Sequence, residues 1–191
     1  MNVRFLSLCV AMGLLVFVDY TAARSSSPLQ DAFPSPPTDR SMIYVGAAAN
    51  TLDPLPFEMG TTPLKTDQVA GSDKTSYIEL KGAGSEKSIN NSLPRIYLFV
   101  SDTANVHPPF IVRLTQKNSA RRVTVTSQKG LKGFAVNTGD IIKPHYRVLS
   151  DVGNSLYMEI TPRESLPPGE YAIIGTSLQR IATFRVATPG Q

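Results

Sequence analysis

From Thr75 onward, short runs rich in β-branched and aromatic residues alternate with turn signals. Eight runs stand out: Ser76–Leu80, Arg95–Val100, Phe110–Thr115, Arg122–Thr126, Tyr146–Ser150, Leu156–Ile160, Tyr171–Ile174 and Ile181–Val186. Such side chains fit a pleated, half-buried surface, so each run predicts a strand. In Arg122–Thr126, Val123 and Val125 alternate with Thr124 and Thr126, a period of two that sends one set inward. Lys117-Asn118-Ser119-Ala120 reads as a hairpin turn, and Asp151-Val152-Gly153-Asn154 joins the next pair of strands. No helical period holds outside the N-terminal apolar run. Many short strands punctuated by Gly, Pro, Asn and Asp predict an all-β sandwich or barrel. The expected core is Ile78, Leu80, Ile96, Leu98, Val112, Leu114, Val123, Val125, Val148, Ile160, Tyr171, Ile173 and Phe184.

The N-terminal region follows a different pattern. Arg4 precedes an uncharged apolar run, Phe5–Val18, and Asp19 ends it before the small residues Thr21-Ala22-Ala23. That order predicts a cleaved secretory signal over residues 1–23, the run being shorter than the roughly 20 residues of a spanning helix. An uncleaved membrane anchor is the alternative. Residues 24–41 are rich in Ser and Pro and predict a disordered linker. Residues 42–74 predict a partly ordered extension, with a short strand at Met42–Val45 broken by Pro54, Pro56 and Pro63. The sandwich is expected over 75–187 and a disordered tail over 188–191.

One segment narrows the fold further. Leu166-Pro167-Pro168-Gly169-Glu170-Tyr171 forces a corner and then opens the apolar strand Tyr171-Ala172-Ile173-Ile174. It is similar to the L-x-P-G-x-Y corner of bacterial secreted domains, and residues 75–186 resemble an immunoglobulin-like antiparallel β-sandwich. The resemblance implies that the Tyr171 hydroxyl bonds the backbone near Arg163 to Ser165 as a structural tyrosine corner. Where antibody domains carry a cysteine two residues after this tyrosine, this chain has Ile173, and it has no tryptophan. The resemblance implies a fold and carries no activity.

Composition removes several chemistries. Cys9, inside the apolar run, is the only cysteine. A chain cleaved after residue 23 therefore has no disulfide, thiol nucleophile, thiolate zinc site or iron–sulfur cluster. Its sandwich must be held by its own core, which fits export from a bacterium into the periplasm or beyond. The net charge of +4 is mild and argues neither for nucleic acid nor for a strongly acidic partner.

Candidate sites remain sparse. His107 and His145 both adjoin proline and lack the further ligands of a metal site, so no metal or cofactor is expected. G-x-S-x-G does not occur. Glu79 and Glu159, the strand carboxylates, read as outward members of alternating strands rather than as a glycosidase pair. Gly130-Leu131-Lys132-Gly133 lacks the ending of a phosphate loop, and Phe134 after it is expected in the core. Lys117, Arg121, Arg122, Lys129 and Lys132, with Arg113 nearby, form a candidate patch for an anionic partner; a solvated hairpin whose charges block edge aggregation is the plainer reading.

These observations predict an exported, non-catalytic interaction module that offers loops or a sheet edge to a protein or polysaccharide outside the cytoplasm. A structural subunit joined to its assembly by strand addition is the alternative. A hydrolase ranks third, since no nucleophile, metal set or acid pair stands out.

Overall fold

The computed structural model describes residues 33–47, 50–61, 65–67, 75–101, 109–127, 134–175 and 180–188. The expected signal region, Cys9, His107, Lys129 and Lys132 lie outside them, as does the side chain of Phe134. Fifteen strands are described: β1 (Tyr44–Gly46), β2 (Leu52–Pro54), β3 (Phe57–Glu58), β4 (Lys65–Asp67), β5 (Thr75–Lys81), β6 (Ser88–Ile89), β7 (Ile96–Ser101), β8 (Phe110–Lys117), β9 (Ala120–Ser127), β10 (Phe134–Val136), β11 (Ile141–Ile142), β12 (Pro144–Asp151), β13 (Ser155–Pro162), β14 (Gly169–Ile174) and β15 (Ile181–Val186). All eight expected strands are present, and Met42–Val45 supplies most of β1.

The strands form two sheets. The first runs β12-β13-β7-β1-β2. The second runs β3-β15-β14-β8-β9-β5-β4, with β10 beside β9, β11 beside β8 and β6 beside β15. Among the described strands only β6 and β15 pair in parallel. The second sheet doubles back. β9 pairs with β8 only from Thr115↔Arg122 to Lys117↔Ala120, whereas it pairs with β5 from Lys81↔Ala120 as far as Ser76↔Val125. Asn118 and Ser119, at φ 50° and 60°, make the tight two-residue turn between β8 and β9.

The doubling-back produces three layers. One core lies between the first sheet and the β8-β14-β15 layer, and holds Ile96, Leu98, Ile160, Tyr171, Ile173 and Phe184. A second lies between that middle layer and β5-β9-β10, and holds Ile78, Leu80, Val112, Val123, Val125 and Ala172. The middle layer is thus buried on both faces. This explains why Tyr171–Ile174 is apolar without interruption, as strands covered on both sides are. Tyr44, Tyr97 and Tyr157 form a third cluster on the far face of the first sheet.

Two expectations change here. Val148, expected in the core, is 54% exposed. Its register opposite Met158 gives it inward parity, but β12 is the edge strand and Val148 stays exposed there. Of the expected disordered linker, residues 33–41 are described and make specific contacts. The Arg147 guanidinium lies 4.1 Å over the Phe33 ring, Arg40 lies over Phe99, and the Tyr44 hydroxyl donates to the Asp39 carbonyl at 2.9 Å.

Candidate functional site

The expected basic patch divides. Arg121 and Arg122 are consecutive on β9 and point to opposite faces. Arg122 faces outward, paired with Glu79 at 2.7 Å and lying 4.2 Å over the Tyr77 ring. Arg121 shares the parity of Val123 and Val125 and is only 1% exposed. It does not contribute to a surface patch. Lys117 is exposed beside the hairpin turn, and Arg113 is exposed on β8.

Arg121 instead closes one end of the second core. Its Nε donates to the Gly82 carbonyl at 3.1 Å. One terminal nitrogen bonds Glu58 at 2.9 Å and the Ser85 hydroxyl at 3.0 Å; the other bonds Glu58 at 2.5 Å and the Lys81 carbonyl at 2.6 Å. The planar fork thereby matches its donors to acceptors from β3, the end of β5 and the loop that follows. Glu170, 4% exposed, lies 4.0 Å from Arg121 and accepts from the Ser85 N–H, the Ser85 hydroxyl and Arg185 Nε. Burial alone would raise the Glu170 pKa, but these hydrogen bonds outweigh it and hold the carboxyl below its usual value. Gly84 packs against the guanidinium so closely that a Cβ there would overlap Arg185 Nη2. Sequence reasoning missed this seam, although parity marks it: Glu170 alternates with Ala172 and Ile174 just as Arg121 does with the valines.

The remaining candidates stay apart. Glu79 lies on the outer face of the third layer and Glu159 on the outer face of the first sheet, so the pair does not converge. Glu159 was expected to point outward from its sheet; it does, yet it is only 6% exposed and accepts from the Tyr97 hydroxyl at 2.7 Å. Burial, and then the adjacent Glu159, pushes the Tyr97 pKa up to about 12. His145 is exposed on β12. Among the described residues no group of three or more metal-type side chains converges. The Tyr171 hydroxyl donates to the Pro167 carbonyl at 2.7 Å, two residues beyond the expected partners. Leu166 is buried and its N–H bonds the Ser92 carbonyl, which anchors the chain just before the corner.

Among the described strands, β12 is the longest that stands at a sheet edge. It pairs with β13 from Pro144↔Pro162 to Asp151↔Leu156, interrupted by one bulge after Val148, and it ends the first sheet. Tyr146 is 41% exposed beside Val148. The opposite edge, β2, has three residues and ends in a proline. Compared with models of protein families, with curated proteins and with solved structures, the chain matches none.

Proposed function

We propose that this protein is an exported, non-catalytic interaction module that meets its partner along the β12 edge. The observation that carries the reading is the eight-residue edge strand with Tyr146 and Val148 exposed on it. Long edge strands present unpaired backbone donors and acceptors and are ready templates for a further strand. The immunoglobulin-like reading is supported by strand order. In chain order β1, β7, β8, β12, β13, β14 and β15 take the places A to G, with A-B-E-D in one sheet and C-F-G in the other. Tyr171 then stands near the start of strand F, where the tyrosine corner belongs. The third layer is an addition to that plan. Export rests on the N-terminal charge and apolar pattern.

A structural subunit joined by strand addition is the second reading, favoured by the same edge. Photo-crosslinkers placed at Val148 and at Lys117 in the exporting cell test both readings. The expected result is capture from Val148 alone, lost when Tyr146→Lys is introduced beside the crosslinker. Capture of a second copy of this chain selects the subunit reading. Equal capture from both positions, or none from Val148, removes the edge from the function.

A further inference from the structure

Phe33-Pro34-Ser35-Pro36-Pro37 is the first described segment, and it lies against the outer face of the first sheet. Proline fixes its own φ and pushes the residue before it toward extended backbone. Phe33, Ser35 and Pro36 each precede a proline, so the whole segment is restricted to an extended, polyproline-like path. Burial follows the three-residue period of that helix. Pro34 is buried and Pro37 half-buried, while Ser35 and Pro36 between them are exposed. No described backbone–backbone hydrogen bond joins residues 33–42 to the sheet. Side chains hold the segment instead. Phe33 lies under the Arg147 guanidinium at 4.1 Å, and Pro34 walls a hollow of about 250 Å³ with Gly46, Arg95 and Tyr97.

The face beneath is aromatic. Tyr97 and Phe99 on β7 flank the Tyr157 ring on β13, with centroids 6.0 and 5.1 Å from it, and Tyr44 on β1 completes the cluster. The hydroxyls are not equally engaged. That of Tyr44 donates to the Asp39 carbonyl, and that of Tyr97 to Glu159. That of Tyr157 is buried and has no partner among the described residues. The segment ends at a turn in which the Asp39 carboxylate accepts from the Ser41 N–H at 2.9 Å, and the chain then enters β1. Beside this turn Arg40 lies 5.5 Å over the Phe99 ring and donates to the Val152 carbonyl at 3.0 Å.

We propose that this face binds a proline-rich segment of another protein, and that Phe33–Pro37 is a built-in placeholder which the partner displaces. An aromatic surface that covers every third residue of a pre-extended segment, without backbone pairing, has the chemistry of proline-rich recognition. The placeholder turns off the face because it must join β1. A partner has no such connection, continues in extended form over Phe99 and supplies a backbone carbonyl to the Tyr157 hydroxyl. A second copy of this chain is disfavoured as the occupant. Its identical segment competes with one tethered to β1 through residues 38–43, at an effective concentration that is roughly millimolar. The site lies on the opposite face of the first sheet from Tyr146 and Val148, and it does not depend on pairing at the β12 edge.

The test is a titration of the full chain with the capped peptide Ala-Phe-Pro-Ser-Pro-Pro-Ala-Pro-Pro, read from the amide resonances of Phe99 and Tyr157. Phe33→Ser, Pro34→Ser and Pro37→Ser together free the face, and this triple variant should bind the peptide at least about tenfold more tightly than the unaltered chain. In that background Tyr157→Phe should weaken binding about fivefold and leave the melting temperature unchanged or higher, because the hydroxyl has no partner to lose in the free chain. If the triple variant does not fold, the unaltered chain should show the same shifts at millimolar peptide. An equal response to the peptide with every proline replaced by alanine would overturn the proposal. So would silence of both resonances in the triple variant and in the unaltered chain. Dimerisation of the unaltered chain that the triple substitution abolishes would also overturn it, by making a second copy the occupant.

Discussion

The two faces of the middle layer are joined to their neighbours by different physics. Toward the first sheet the contact is apolar: Tyr171 stacks on Phe184 with ring centroids 5.6 Å apart, and Ile96, Ile160 and Ile173 are fully buried beside them. Toward the third layer, the apolar patch around Val123 and Ala172 ends at the charged seam around Arg121. Apolar burial is non-directional, and many side chains of suitable volume satisfy it. The seam is directional, since its fork fits only acceptors held at particular places. Desolvation offsets most of the attraction in a buried ion pair. The seam is therefore expected to contribute register and placement of the third layer more than stability.

The sharpest way to break this contrast is to damage each interface and then attempt a rescue. Phe184→Ala should cost about 4 kcal/mol. Arg121→Met should cost about 3 kcal/mol, mainly by leaving Glu58 without its partner. Adding Glu58→Gln, which removes the charge and keeps an acceptor for Thr183, should recover most of the second loss. Chemical denaturation reads all three variants. A double variant as unstable as Arg121→Met alone would make the seam a net stabiliser and erase the contrast.

Smaller effects divide each side further. Tyr171→Phe keeps the buried ring and loses only the bond to Pro167, so it should cost about 1 kcal/mol. An unchanged denaturation midpoint would show that the hydroxyl contributes nothing. The smallest effect is acid sensitivity. Glu170 has a depressed folded pKa, so its contribution is complete at neutral pH and is lost as pH falls below about 4.5. Melting temperatures measured from neutral pH into that range should decline less steeply for Ser85→Ala than for the unaltered chain. Identical slopes would exclude Glu170 as the source.

Much of both apolar cores was legible in the sequence. Strand runs, the hairpin at Asn118-Ser119 and twelve of the thirteen expected core residues are where local pattern placed them. The corner was legible because prolines, glycine and tyrosine act within a few residues of one another. The seam was not, because its partners are distant in the chain: Glu58 and Arg121 are 63 positions apart, and Ser85 and Glu170 are 85 apart. Short strands such as β3, β6 and β11 were also missed. Each has two residues, too few to show a period, and exists because a longer neighbour offers an edge.

By itself the sequence determined which stretches become strands and which face of each is apolar, because alternation and turn chemistry act over a few bonds. Only the tertiary structure decided how many layers those faces make. Nothing local says that β9 leaves β8 for β5 and covers the second face of the middle layer. That choice buries Arg121 and turns an expected surface charge into an interlayer pin. It also decides that β12 ends the first sheet among the described strands and that the pairing of β14 with β8 begins only at Glu170, since exposure of an edge depends on where every other strand has gone.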